Sequence, residues 1–506
     1  MCRRGVGIVS ASPALMHEWP IDPRDDLPLA LWDAQSIAAA TGGTASTDFQ
    51  VSGVEMDSRD VRPGDLFVAL KGEAMDGHKF IPAAFERGAI AAIVDRPVDY
   101  PHVLVEDTTA ALLALARAAR ERGTARRIAV TGSVGKTGVK EAIFAALDRG
   151  SRGAAHRSVR SYNNHVGVPL SLARMPARAR YGVFEMGMNH AGEIAPLSAY
   201  VRPHVALITT IAPAHIENLG SMEAIADEKA QIFTGLGEGG VAIIPTDSEY
   251  TPRLIAHARA CGVEIVTFGR SETADVRLLD AIPIANGGSL VTAHLAGGSG
   301  RGGGPGGGDA RICYSIAEPG DHWIANSLGV MAAVRAAGGD LAAAGLALAE
   351  MGGLKGRGAR MQIDIPGGKA LVIDESYNAN PASMRATIKA LGQTPALRRI
   401  AVLGDMKELG DFGSRFHAQL TEPLAEASID HVIMVGVEMR ALAEELGRSE
   451  SNPLGFQGTF AHCENPSEAI NELEQFGLAN GDAILVKASN SVGLGALVSS
   501  LAQSSG

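Results

Sequence analysis

Cysteine is scarce in this chain. The four present, Cys2, Cys261, Cys313 and Cys463, are widely scattered with no C-x-x-C pair, which excludes a disulfide framework and a zinc cluster and fits a reducing cytoplasm. Long apolar runs are also missing. Even the alanine-rich stretch from Ala110 is broken by Arg117, well short of the roughly 18 apolar residues that a membrane span needs, so no membrane insertion is expected. No extended Lys/Arg run occurs and the formal charge is -11. Proteins that track nucleic acid need clustered cations to neutralise phosphates, so a nucleic-acid partner is not expected. No internal repeat of solenoid type is present. What remains is a globular composition, 46% hydrophobic and 20% charged, sufficient to bury a core in each of about three domains.

Residues 1–27 place Arg3 and Arg4 before a weakly apolar stretch containing Pro13 and His17. This matches a signal-peptide core poorly and predicts a disordered extension. Residues 28–124 combine short apolar runs, Leu66 to Leu70 and Ala89 to Val94, with the turn Arg62-Pro63-Gly64-Asp65, and predict a compact α/β module. An alanine-rich helix, roughly Thr109 to Glu121, then leads to a boundary near Thr124. Over residues 125–355 apolar runs ending at Val130, Glu185, Thr209, Pro245 and Phe268 alternate with helical patterns, the rhythm of a mostly parallel sheet with crossover helices. A glycine-rich insert, 296–309, interrupts a β-rich stretch that starts near Ala274 and reads as a flexible surface loop. Residues 356–506 repeat the α/β rhythm, with buried strands at Ala370 to Asp374, Ile400 to Leu403, His431 to Val435 and Ala483 to Lys487. They predict a separate doubly wound domain.

One loop carries the clearest chemistry. A strand ending at Val130, then Thr131-Gly132-Ser133-Val134-Gly135-Lys136-Thr137, then a helix from about Val139 form the setting in which backbone N–H groups cradle phosphates. Lys136 is expected to neutralise β/γ-phosphate charge and the Thr137 hydroxyl to reach Mg²⁺. The spacing departs from G-x-x-x-x-G-K-T, because Val130 stands five before Gly135. Glu185 ends an apolar strand at the sheet edge where α/β proteins place ligands, and is positioned to hold Mg²⁺ directly or through water; alone, such a glutamate is more often simply solvated. His215 and Lys229, separated by a loop and a helix from Ser221, are candidates for the same phosphate region, against the plainer readings of a satisfied histidine and a surface lysine.

Taken in order, the T-G-x-x-G-K-T loop, Asn163-Asn164, Glu185-Met186-Gly187, Ala214-His215 and Lys229 resemble the Mur ligase family. Asp57-Ser58-Arg59, Asp76-Gly77-His78, the segment Asp374 to Pro381, Gly404-Asp405-Met406 and Glu408-Leu409-Gly410 resemble, within that family, the ligases that add D-alanyl-D-alanine to UDP-N-acetylmuramoyl-tripeptide. The resemblance covers about residues 28–495. It implies three α/β domains: an N-terminal module for the UDP end of the substrate, a central P-loop mononucleotide-binding domain, and a C-terminal Rossmann-like domain. It further implies an ATP- and Mg²⁺-dependent ligase that proceeds through an acyl phosphate and functions as a monomer. Ser58, Arg59, Lys71 and Asp76 are then expected to hold the UDP end, and Asn163, Asn164, Asn378 and Asn380 to contact substrate. Gly132, Ser133, Val134, Gly135, Lys136, Thr137 and Gly138 are expected on the phosphates, Asn326 near adenine and Asp374 on ribose. Thr137, Glu185 and His215 are expected at the magnesium sites, together with Lys229, which matches a lysine often carbamylated in this superfamily. Arg360 resembles the arginine that reaches phosphate, with Arg357 as its rival.

Two positions depart from the family pattern. Gly138 stands where a second Thr or Ser is usual, and Lys487-Ala488-Ser489-Asn490-Ser491 replaces K-G-S-R-S, which removes an arginine at Asn490. Three other functions compete with this reading. A Mur ligase adding a single diamino acid commonly carries D-N-P-R, absent from this chain. A folylpolyglutamate synthase would lack the N-terminal UDP module. A non-catalytic nucleotide sensor would be expected to have lost Lys136 or the Glu185/His215 pair.

Overall fold

Strand β1 (Arg126–Thr131) is apolar on both faces from Ile128 to Val130, all fully buried, the signature of an interior parallel strand covered by helices on each side. In this computed structural model, which describes residues 30–72, 75–284, 288–297, 309–448 and 455–503, β1 lies inside a nine-stranded sheet. Its companions are β2 (Ala155–Arg157), β3 (Tyr181–Glu185), β4 (Val205–Ile208), β5 (Val241–Pro245), β6 (Glu264–Gly269), β7 (Val276–Pro283), β8 (Ser289–Leu295) and β9 (Ala310–Ile316), in the order β9-β8-β7-β6-β5-β4-β1-β3-β2. Strands β7 to β2 in that order pair in parallel; β8 and β9 add antiparallel at the edge. The glycine-rich insert joins β8 to β9, and most of it falls outside the described residues, as does the extension expected over residues 1–27.

The chain leaves β1 for β2, returns to β3 beside β1, and crosses to β4 on its other flank. Such a reversal opens a crevice at the carboxyl ends of the strands. Register fixes what lines it: Glu185 pairs with Val130, and Ile208 with Thr131. Helix α1 (Lys136–Ser151) starts directly above that edge. It buries Val139, Ala142, Ile143, Ala146 and Leu147, an i, i+3, i+4, i+7, i+8 stripe against the sheet.

A second, six-stranded sheet follows in the order β10-β11-β15-β12-β13-β14, from β10 (Ala359–Ile365), β11 (Gly368–Glu375), β12 (Arg398–Gly404), β13 (His431–Val435), β14 (Thr459–Cys463) and β15 (Asp482–Lys487). All its pairs are parallel except β10 with β11, and it is the doubly wound arrangement expected from the apolar runs. The helices that matter for the site are α2 (Met222–Ala230), α3 (Asp321–Ala336) and α4 (Pro381–Gln393).

Compactness divides the chain between Ala111 and Leu112. That cut falls inside the helix Thr108–Glu121. The N-terminal unit has a five-stranded sheet, ordered Thr44–Ala45, His102–Leu104, Ala91–Val94, Asp65–Val68 and Gly53–Glu55. Its core gathers Phe67, Ile81, Ala84, Ala92 and Val94. No helix among the described residues is long and apolar enough to cross a membrane.

Candidate active site

The phosphate-loop geometry rests on two glycines. Gly132 (φ +145°) and Gly135 (φ +85°) adopt backbone conformations that side chains rarely tolerate. A Cβ on Gly132 would collide with Thr209 Oγ1, and one on Gly135 would stand 2.9 Å from Asn326 Nδ2. Between them Ser133 is locked: its N–H donates to Thr210 O (2.9 Å), its Oγ donates to Ala212 O (2.8 Å) and accepts from the Ala212 N–H (2.9 Å). Through Ser133 the loop is tied to the segment after β4. The loop leads into the N-terminus of the 16-residue helix α1, whose free N–H groups and dipole favour an anion. Lys136 Nζ donates to Gly132 O at 2.8 Å. Burial holds its ammonium below the ordinary lysine range, with Glu185 opposing and Arg357 reinforcing the shift.

Glu185 is the hub of the site. It is 1% exposed, accepts from Thr137 Oγ1 at 2.9 Å and from Asn163 Nδ2 at 2.8 Å. A carboxylate and a hydroxyl beside the phosphate loop form the hard oxygen donor set that suits Mg²⁺, which takes one or two carboxylates and completes its shell with water and phosphate. No cluster of three or more His, Cys, Asp or Glu side chains that could alone hold a metal occurs among the described residues.

These groups open into a cavity of about 560 Å³, within the roughly 300–1,000 Å³ of ligand sites. One wall is the loop with Asn163 and Glu185; a second is His322, Trp323 and Asn326 from α3. The third is contributed by the C-terminal sheet and its loops, including Arg357, Glu375, Tyr377, Asn378, Lys407, Lys487 and Asn490. Arg357 Nη2 donates to Ser161 Oγ (3.1 Å), and its guanidinium lies 4.3 Å over the Tyr377 ring.

Comparison with known proteins agrees with this geometry. Models of the "Mur ligase family, catalytic domain", the "Mur ligase middle domain" and the "Mur ligase, glutamate ligase domain" match residues 50–126, 130–334 and 359–490. The UDP-N-acetylmuramoyl-tripeptide–D-alanyl-D-alanine ligase of Escherichia coli (strain K12) is 34% identical over 413 residues, 81% of this chain and 86% of that protein. The chain belongs to the Mur ligase family. The Bacillus subtilis (strain 168) protein of the same name is 33% identical over 93% of this Mur ligase and 98% of its own length. A crystal structure of MurF from Acinetobacter baumannii superposes with a TM-score of 0.76 at 30% identity, covering 93% of this chain and 99% of that one. The MurF ligase of Thermotoga maritima in complex with ADP gives 0.68 at 26% identity, covering 89% and 97%. The three-domain α/β fold expected from the sequence is that of these structures.

Within this Mur ligase the expected site residues separate into groups. Ser133, Val134, Gly135, Lys136, Gly138, Asn163, Glu185, His215, Asn326, Asn378 and Asn380 line the cavity. Asn380 does so while capping α4, accepting from the Ser383 N–H at 2.9 Å. Asn164, Asp374 and Arg360 are turned to other tasks. Asn164 Oδ1 accepts from the Gly167 N–H (2.9 Å) and starts the helix that follows. Asp374, expected on ribose, is 2% exposed and accepts from Gly356 N (2.8 Å) and Ser376 Oγ (2.6 Å), fixing the turn that presents Arg357. Arg360 donates to Thr394 Oγ1 at 3.1 Å, away from the cavity wall; Arg357 is the arginine facing it.

His215 sits at φ +58° and its ring pairs with Glu408, itself at φ +64°. The histidine's hydrogen bond holds the Glu408 carboxyl below its ordinary range. Two non-glycine residues in the left-handed region thus meet in the cavity lining. Lys229 lies on α2, 1% exposed and behind the wall. Burial first, and then the nearby Lys136, push its amine well below the ordinary lysine range, with Glu228 opposing.

In the N-terminal unit Arg59 pairs with Asp57 (Nε–Oδ1 2.9 Å) and is largely exposed, Ser58 is buried beside it, and Lys71 is exposed. Asp76 accepts from Arg96 Nη2 (2.7 Å) and His78 Nδ1 (2.8 Å), so its carboxylate shapes its own loop. Sequence reasoning overlooked Ser161, Trp323, Tyr377 and Lys487 in the cavity. Lys487 was findable, since it ends a strand at the ligand-bearing edge of its sheet; Ser161 and Trp323 carried no signal of their own.

Proposed function

We propose that this Mur ligase joins D-alanyl-D-alanine to UDP-N-acetylmuramoyl-tripeptide with hydrolysis of ATP, as a cytoplasmic monomer in peptidoglycan precursor synthesis. The observation carrying the proposal is one cavity that brings together a phosphate loop, a buried carboxylate–hydroxyl pair and an arginine on the facing wall. Relatives carrying that name are 30–34% identical over most of the chain.

A carboxylate acylates amines poorly, so it must first be activated. The γ-phosphoryl group passes from ATP to the tripeptide carboxylate, giving an acyl phosphate and ADP. The dipeptide amine then attacks the acyl carbon, phosphate leaves with the C–O bonding pair, and the amine proton is released. Lys136, the N-terminus of α1 and Arg357 stabilise charge on the transferring oxygens, the dominant contribution in phosphoryl transfer. Thr137 and Glu185 are the residues that would hold Mg²⁺, which when bound neutralises phosphate charge. Lys229 has an amine driven towards its neutral form, the form able to add to CO₂; carbamylation would turn it into an anion behind Lys136. Residues 28–124, 125–355 and 356–506 are read as the UDP, ATP and closing domains, with Ser58, Arg59 and Lys71 at the UDP end. The closing domain excludes water from the acyl phosphate.

ADP release by the purified protein tests this directly. It should require ATP, Mg²⁺, UDP-N-acetylmuramoyl-tripeptide and D-alanyl-D-alanine together; release that ignores either co-substrate would overturn the assignment.

A further inference from the structure

Helix α1 carries a second lysine, Lys140, one turn beyond Lys136. It is 0% exposed and stands outside the cavity lining. An ammonium group has three hydrogens and accepts nothing, and burying it is costly unless those hydrogens find partners. Here all three do. Nζ donates to Ser158 O (3.0 Å) and Arg160 O (2.8 Å) and pairs with Glu141 Oε1 (2.8 Å). Glu141 in turn holds Arg157 Nε at 2.9 Å. The start of α1 thus grips the strap that leaves β2, residues 158–163, by two of its backbone carbonyls.

The strap needs an outside hold. Arg160 has φ +54°, a conformation that persists in a non-glycine residue only where its surroundings enforce it. What the strap carries makes the hold matter for chemistry. Ser158 Oγ accepts from the Glu185 N–H (3.3 Å), and Asn163 Nδ2 donates to Glu185 Oε1 (2.8 Å). Between them Ser161 Oγ accepts from Arg357 Nη2 (3.1 Å) and lies 3.4 Å from Thr137 Oγ1. Ser161, Asn163, Glu185 and Arg357 all line the cavity. One short segment therefore touches the carboxylate, the hydroxyl and the arginine of the site, and its own carbonyls are held by a buried cation.

We propose that Lys140 is a positioning residue for phosphoryl transfer: it sets the strap that carries Ser161 and Asn163, and through Ser161 it fixes where Arg357 stands. The proposal rests on the role given to Arg357 in stabilising the transferring oxygens, and extends it to a lysine outside the cavity.

A double-mutant cycle on kcat of the full-length protein provides the test. Lys140→Met keeps the aliphatic stem and removes the ammonium. It should lower kcat roughly tenfold to a hundredfold, the effect of a small misplacement of reacting groups, while ADP affinity by calorimetry stays near that of wild type. Lys140→Gln, whose amide still has two hydrogens to donate, should retain more of kcat than Lys140→Met. In an Arg357→Ala background either substitution should lower kcat far less, because the arginine being positioned is already gone. Ser161→Ala, which removes the link itself, should lower kcat in wild type and be nearly silent in that background. Lys140→Met with wild-type kcat, or the same fold-loss with and without Arg357, would overturn the proposal; if Lys140→Met does not fold, the cycle with Lys140→Gln decides in the same way. Arg357→Ala that turns over at the wild-type rate would instead remove the reading of Arg357 beneath it.

Discussion

Gly132→Ala perturbs the phosphate loop at one atom, and its cost can be worked out from the geometry. At φ +145° the backbone lies in a region essentially reserved for glycine, and forcing alanine there costs about 1–3 kcal/mol. The new methyl also displaces Thr209, whose Oγ1 donates to Val134 O at 2.5 Å; losing that bond costs about 0.5–1.5 kcal/mol. Together these amount to roughly 2–4 kcal/mol, a large share of the 5–15 kcal/mol typical of a folded domain. Urea unfolding should show that loss. If the loop relaxes to relieve it, the N–H groups turn from the phosphates and ADP affinity measured by calorimetry falls instead. Gly132→Ala/Thr209→Ala removes the contact with Oγ1 but also deletes its hydrogen bond to Val134 O and keeps the backbone strain, so it should recover little of the loss. Gly192→Ala is the control for strain alone, because Gly192 has φ +87° and open space around its Cα. A Gly132→Ala protein with wild-type unfolding midpoint and wild-type ADP affinity would refute the role given to this loop.

Three further outcomes follow from the same site. Arg357→Ala should lower kcat by roughly a hundredfold while leaving the unfolding midpoint nearly unchanged, whereas Arg360→Ala should do the reverse; steady-state kinetics with thermal unfolding separates them. Lys229→Ala should lose activity by a similar factor and regain part of it with added formate or acetate; an active, unrescued variant would return Lys229 to an ordinary buried lysine. The third outcome concerns pH. Burial pushes the Glu318 carboxyl up to about 7, with Arg360 opposing and Glu375 adding to the shift. The folded state then holds its proton more tightly than the unfolded chain, so the contribution to stability is complete below about pH 4.3 and is lost as pH rises through about 7. Glu318→Gln should therefore gain on wild type between pH 5 and 8 in urea unfolding, by up to roughly 3 kcal/mol; a constant difference would show that Glu318 does not titrate there.

The strands and the phosphate loop were legible because their signals are local. An apolar run buried on both faces, followed by Gly132, Gly135 and Lys136, encodes its own conformation, and register then carries Glu185 to the same edge. What was not legible depends on contacts between distant segments. Gly356-Arg357-Gly358-Ala359-Arg360 offers two arginines, and only the turn fixed by Asp374 decides that Arg357 faces the cavity. Asn164, Asp374 and Asp76 are polar residues at the right places in their motifs, yet each spends its side chain on local backbone or on a neighbour. The same limit explains Gly138. Its missing hydroxyl is visible in the sequence, but the Trp323 indole that takes its place comes from a helix nearly two hundred residues away in the chain.

The most direct measurement follows oxygen rather than protein. With the tripeptide carboxylate labelled with ¹⁸O, each amide formed should deliver one labelled oxygen to inorganic phosphate, detected by mass spectrometry or by the ³¹P shift. Unlabelled phosphate, or label appearing in AMP, would contradict an acyl phosphate made at the Lys136 loop.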